Sequence, residues 1–566
     1  MVSALPSRRR TLGALALTAF AYLYAFPYQP RINNPNENVR LYMTAALVEQ
    51  GTYVIDDFRE RWGWVNDCAV RDGHAYSVKA PATSFMGVPF YWMYLHGAEA
   101  MGHEFDRTEA LWVCRVFASI LPWLLFLVWF HRWLGRHTGS PLLRDAVFFS
   151  VALGSCLYGY GMLFMSHTLS AGAAFGGFML LFHARRAGRI RPMRAFWAGV
   201  LVAGVSLLEY PGFFASAVLA VYGMVVLRPL SRWVPFALGG AIPTAAMMHF
   251  QWKCFGSPFS PGHLYVENDF FRGRHEEGFF GAVGLQWEAL YGLLVDPGAG
   301  LFPLTPILVF ALLGLGLLLA KRFWRADGVT VLLVTLLTLA GIAVMNNWRG
   351  GWTIGPRYLV LVYPFLAWAA LLGLDAIAKK APRTAAGLAV GTTAVGLLLS
   401  GAPSLYYPHL PPEVTRPVTQ LVTVLWSHDY APFTLANRFD LYGTVTMIPL
   451  VLAAGGAMAF VVHAAPTGRD RLAATLIGTL VAALVAAPLL YDPEPGAEPV
   501  QRAVALITGT WTPAGQDRAS RLADQLRTTP DPAGYRELAA LYETEGRHAE
   551  SARAERRASQ LDRTLP

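Results

Sequence analysis

Hydrophobic residues gather into one segment, 11–27, and then, after a mostly non-spanning break over 28–108, into twelve more. These are 109–130, 145–163, 167–184, 194–209, 211–227, 233–250, 302–320, 328–345, 358–377, 384–401, 443–463 and 473–491. A bilayer span needs about 20 mostly apolar residues. The pattern therefore predicts an all-α polytopic membrane protein with about thirteen transmembrane helices. Within the break, Val39, Tyr42, Met43, Ala46 and Leu47 follow the i, i+3, i+4, i+7, i+8 spacing of an amphipathic helix. Asn36 is its expected N-cap and Gly51 its end, and the helix is expected to lie at the membrane surface. A further apolar stretch, 81–101, carries Pro81, Pro89, His96 and Glu99 and reads as a re-entrant or interfacial helix. Long loops between short-loop spans are usually functional, so the first loop is where chemistry is expected.

Composition agrees with a membrane protein. The 566 residues are 54% hydrophobic and only 15% charged, against about 25% for soluble domains. Mean hydropathy is +0.37. Basic clusters orient the bundle: Arg8–Arg10, Arg132 with Arg136, Arg185 with Arg186, Arg189 and Arg191, Arg228 with Arg232, Lys321 with Arg322, Lys379 with Lys380, and Arg469 with Arg471. In the thirteen-span arrangement all fall on one side, which the positive-inside rule makes cytoplasmic. The N-terminus is then cytoplasmic. Loops 28–108, 251–301 and 402–442, and a helical tail over 492–566, lie outside. The net charge of +9 reflects this topology and anionic headgroups, with no nucleic-acid module in view. Segment 11–27 follows three arginines like a signal peptide, but no small-x-small cleavage site comes after it, so it reads as a retained helix. Arginine outnumbers lysine 41 to 5, a bias of GC-rich bacterial genomes. The expected location is a bacterial inner membrane. Cys114 and Cys156 read as packing residues; Cys68 and Cys254 share the outer side, where a pairing is open.

Several polar residues stand out at the outer side. Glu37 and Arg40, three apart, share a helix face, as a local ion pair or as a reactive carboxylate with a cation. Lys79, in Tyr76-Ser77-Val78-Lys79-Ala80-Pro81, is the only lysine in the first 250 residues. It is either a snorkelling residue or a point charge for phosphate. Arg357 follows the glycine- and tryptophan-rich run Asn346–Trp352 at a span entrance, where a charge is costly unless it is paired or faces a cavity. His167, Glu209 and Glu267 are candidate contacts to an acceptor or sugar. No His/Cys ligand cluster and no Asp-x-Asp occurs in the first loop, and Asp56-Asp57 reads as a turn. No metal site and no cofactor are expected, and a divalent ion is neither demanded nor excluded. In the tail, Leu538, Ala539, Tyr542, Gly546, Ser551 and Ala558 sit at the spacing of a tetratricopeptide helix pair, a module suited to protein contact, with residues 515–527 as a third helix.

The order of these features — a short first span, an outer loop with an acid-x-x-arginine helix, then aromatic-x-x-lysine-x-proline, then many spans — resembles the GT-C superfamily of integral-membrane glycosyltransferases. The likeness is nearest to protein O-mannosyltransferases (glycosyltransferase family 39) and lipid A aminoarabinose transferases, and covers roughly residues 10–400. It implies a GT-C-like transmembrane domain over 1–491. It also implies transfer of a sugar from a polyprenyl-phosphate donor to a protein, lipid or glycan acceptor at the outer face. Glu37 matches the family's catalytic carboxylate, Arg40 the arginine of the same helix, and Lys79 the lysine near the carrier phosphate. Arg357 is assigned to phosphate on its own position. The chain departs from the pattern with Glu where Asp is usual, and with Phe164-Met165-Ser166-His167-Thr168 where many members carry a second acid. A competing reading is a lipid or glycolipid transporter or flippase. Such proteins tend to show internal repeats and charges at mid-membrane, and neither is seen here.

Overall fold

The computed structural model describes residues 8–27, 34–278, 281–508, 530–544 and 548–564, with single positions between 519 and 526. It is helical almost throughout. The one sheet among the described residues is an antiparallel hairpin, Cys68–Arg71 with His74–Ser77.

Every predicted apolar segment is helical. Among the described residues, six helices are long and apolar enough to cross a membrane: Arg107–Gly135, Arg325–Ala343, Arg357–Ala378, Pro382–Tyr406, Thr444–Val462 and Gly468–Leu490. Pro192–Leu208, Tyr210–Val226 and Pro306–Ala320 are apolar but shorter. The segment predicted at 145–163 is broken into Pro141–Ala152 and Cys156–Gly161, because the Ser155 side chain accepts from the Leu157 amide and caps a new helix. Within Arg107–Gly135 the turn Arg115–Ile120 is π-helical. Pro122 lacks an amide hydrogen and crowds the carbonyl four residues back, so the helix widens just before it.

The first loop departs from its prediction in two respects. The helix Pro35–Glu49 forms, but its cap is Asn34, whose side chain accepts from the Asn36 amide at 2.7 Å, with Pro35 in the first turn. It does not lie at the surface with a wet polar face. Val39, Tyr42, Met43 and Ala46 are buried as expected, and so are Glu37, Arg40 and Thr44 on the opposite face. The polar stripe is covered by Ala82–Ala100, the helix predicted over 81–101, and by the neighbourhood of Ser166.

The hairpin turns on Asp72-Gly73, both at positive φ, the two-residue turn that suits the twist of paired strands. The second outer loop is stitched to it: the Glu267 amide donates to the Cys68 carbonyl at 3.0 Å. Cys68 and Cys254 are buried free thiols, so the pairing left open by the sequence is not made. Burial pushes the Cys68 thiol up to about 12.

Several polar contacts of carboxylates between elements fall into two bands, apart from contacts inside the bundle such as Trp123 to Tyr22 and Ser150 to Thr393. One joins Arg10 to Asp145, Arg185 to Asp327, Thr138 to Asp375 and Arg383 to Asp470. The other joins Arg115 to Glu37, Lys79 to Asp67, Arg59 to Glu267, Arg438 to Glu109, and Gln420 to Asp492. The first set links stretches assigned above to one side of the membrane, the second those assigned to the other. The tail forms a helix pair, Pro532–Thr544 and His548–Thr564, with Leu538, Ala539, Ala554 and Ala558 buried. Gly546 and most of 515–527 lie outside the described residues.

Candidate active site

Four chain breaks converge on one place: the start of Pro35–Glu49, the loop before His167–Ala187, the turn between Pro192–Leu208 and Phe213–Val226, and the entry to Tyr363–Ala378. Arg40 is its centre and is 2% exposed. Its guanidinium donates to Asn36 Oδ1 at 2.9 Å, to the Ala80 carbonyl at 2.8 Å and to Ser166 Oγ at 2.9 Å. Burial lowers its proton affinity, and nearby Glu209 and Asp67 oppose that.

Glu37 is not paired with Arg40. It is fully buried and held by Arg115, which donates to Oε1 at 2.7 Å and to Oε2 at 2.6 Å. Oε1 also accepts from the Phe164 amide at 2.6 Å. The local Glu37–Arg40 ion pair is therefore replaced by a long-range one. Arg115 reaches it from the widened turn ahead of Pro122.

Glu209 ends the helix Pro192–Leu208, where Pro211 blocks continuation. The break aims its carboxylate at the start of His167–Ala187. There Oε1 accepts from Ser166 Oγ and lies 3.1 Å from His167 Nδ1 and 4.0 Å from Arg40 Nη2. Arg40, Ser166, Glu209 and His167 thus form one connected chain of polar contacts.

Arg357 is 8% exposed and makes no carboxylate pair among the described residues. Nη2 donates to the Gly350 carbonyl and lies 3.5 Å from the Tyr358 hydroxyl. The glycine run thus serves the arginine: Gly350 has φ +76°, and a Cβ there would stand 2.7 Å from the Tyr358 ring and 2.9 Å from Arg357 Nη2. Lys79 Nζ, at the exit of the hairpin, is 3.0 Å from Asp67. His167 feels the charges of Glu209, Arg357, Arg40 and Lys79 together, so these predicted residues share one electrostatic neighbourhood. A small cavity of about 10 Å³ lies among His167, Glu209, Thr338, Arg357 and Tyr358, close to the size that holds one water. His167 Nε2, Arg357 Nε and Thr338 Oγ1 are buried without a protein partner.

Glu267 stands apart. Arg59 donates to both of its oxygens at 2.8–2.9 Å and Trp64 Nε1 to one at 3.2 Å, which ties the second outer loop to the first. Among the described residues no group of three or more His, Cys, Asp or Glu is placed to hold a metal.

Three participants are not among the residues that the sequence singles out. Arg115 could have been flagged as a charge inside an apolar span. Asp67 carries no local signal. His409 lies in a loop distant in sequence, yet the Asn34 side chain donates to its Nδ1 at 2.9 Å. Burial, with Arg357, Arg115 and His167 nearby, pushes its imidazole down to about 3.

No family model matches the chain, and no curated protein matches it. Two solved structures are similar in helical framework. One is the crystal structure of ArnT from Cupriavidus metallidurans in the apo state, at 16% identity, covering 84% of this chain and 76% of that one, TM-score 0.44. The other is ArnT from the same organism bound to undecaprenyl phosphate, at 14% identity, covering 83% and 76%, TM-score 0.38.

Proposed function

We propose that this chain is a membrane glycosyltransferase of a bacterial inner membrane, moving a sugar from a polyprenyl-phosphate donor to an acceptor at the extracytoplasmic face. The observation that carries the reading is Arg357. A buried guanidinium without a carboxylate is expensive. One acting with Arg40 and Lys79 on the surroundings of His167 makes an anion site that a carrier phosphate would complete, Lys79 exchanging its Asp67 contact for the phosphate. There the three cations stabilise charge as it develops on the leaving phosphate, and apolar spans take the isoprenoid chain. Inverting displacement also needs a base on the acceptor side. The motif order assigns it to Glu37. The contacts favour the cavity bordered by Glu209 and His167 instead, because both Glu37 oxygens are engaged and Arg115 would have to let go before they could act. A flippase would be expected to place such charges at mid-membrane; here they gather where helices end.

The test is binding and turnover by the purified full chain in lipid nanodiscs, with undecaprenyl phosphate and undecaprenyl-phosphate hexoses as probes. Arg357→Ala should weaken undecaprenyl phosphate binding by ~10–100-fold, the range expected when a charged hydrogen-bond donor is lost. Lys79→Ala should weaken it more than Lys79→Arg. Unchanged binding in both alanine variants, or transbilayer movement of the lipid without any transfer, would overturn the reading.

A further inference from the structure

We propose that His167 is the general base of the transfer and that Glu209 is the residue that positions it. This rests on the glycosyltransferase reading above and gives its acceptor side a residue and an atom.

His167 has two ring nitrogens in different circumstances. Nδ1 faces Glu209 Oε1 at 3.1 Å. Nε2 is buried, without a protein partner, on a residue lining the cavity shared with Arg357 and Thr338. A carboxylate on Nδ1 keeps the imidazole proton there and leaves the Nε2 lone pair free, the division of labour of a carboxylate–histidine dyad. The ring is fixed from its other side by Tyr160, edge-on at a centroid distance of 4.9 Å, whose hydroxyl is itself bonded to Thr353. Glu209 is fixed in turn by Ser166, which Arg40 holds. A side chain kept only for packing would not need an orienting carboxylate or leave its second nitrogen unsatisfied.

In the reaction the acceptor oxygen occupies the water-sized cavity. It bonds to the anomeric carbon as the bond from that carbon to the phosphate oxygen breaks, and the electron pair leaves with the polyprenyl phosphate. The acceptor proton passes to Nε2, and Glu209 stabilises the imidazolium. Arg40, Arg357 and Lys79 oppose that positive charge in the empty site; the dianionic leaving group, once formed among them, removes the opposition. The proton then returns to solvent or to the phosphate.

The experiment compares wild type, His167→Ala and His167→Asn in nanodiscs. It reads undecaprenyl phosphate binding, and release of undecaprenyl phosphate from undecaprenyl-phosphate hexoses in the presence of extracted envelope acceptors. Both variants should bind the lipid as wild type does and turn over ~10²–10⁴-fold more slowly. Added imidazole should partly restore His167→Ala, since the truncation leaves room for it. Near-normal turnover in either variant, or loss without imidazole rescue, overturns the base assignment and leaves the transferase reading standing. A wild type that neither binds the lipid nor releases it from the donors defeats both.

Discussion

At the level of single residues, Glu37 and Arg115 are a buried pair whose worth shows only when one partner is removed. Glu37→Gln keeps the shape but leaves the Arg115 charge enclosed. Breaking such a pair costs ~3–5 kcal/mol, so the variant should melt well below wild type in detergent. Glu37→Gln combined with Arg115→Met should recover more than half of that loss; a single variant as stable as wild type would remove the structural role. His409 gives a pH signature. An unfolded imidazole titrates near 6.5, and this one is held down to about 3. Below about pH 6.5 the unfolded chain takes up a proton that the folded chain refuses. Stability should therefore be flat above that point and fall as pH drops toward 3, by up to about 1.4 kcal/mol per unit. Thermal melts between about pH 7.5 and 5 should show this slope, and His409→Asn should reduce it by one proton's share, leaving the part that His263, also held down to about 3 by burial, contributes.

Among elements, the breaks matter more than the spans. Pro211 ends one helix so that Glu209 meets His167, and the widened turn before Pro122 carries Arg115 to Glu37. The Gly350-Gly351 turn brings a carbonyl onto Arg357. Gly350→Ala would put a methyl against Tyr358 and the guanidinium in a conformation that L side chains resist. The protein should still insert and fold, because the turn lies outside the helices. Undecaprenyl phosphate binding should fall about tenfold, and unchanged binding would separate the turn from the anion site. The Asp72-Gly73 hairpin was not anticipated: the pair is a two-residue turn signal, but the four-residue strands beside it are too short for alternation to mark them.

For the whole molecule, the two bands of polar contacts match an arrangement in which successive spans alternate in direction. Combined with the arginine distribution, this predicts a cytoplasmic N-terminus and an extracytoplasmic C-terminus. A phosphatase reporter fused at Pro566, active only outside the cytoplasm, should be active, and a fluorescent reporter that works only in the cytoplasm should be dark there. The reverse result would invert the proposed face of the reaction. The helix pair of the tail would then also move to the other side, and any partner it docks would have to be sought in the cytoplasm.

The helical class, the position of nearly every apolar helix and the first loop as a place of interest are legible in the order of residues alone, because apolar runs and their periodicity are local properties with strong energetic consequences in a bilayer. That order also pointed to Arg40, Lys79, Arg357, His167 and Glu209, since polar residues at helix ends are conspicuous in so apolar a chain. Which charges satisfy which follows from the packing of the helices. Glu37 and Arg40 sit one turn apart and invite a local pair. Yet Arg115 and Glu209, 78 and 169 positions away from them in sequence respectively, approach them instead. A buried charge takes whatever partner the packing of helices brings within reach, and spacing along the chain holds no record of that.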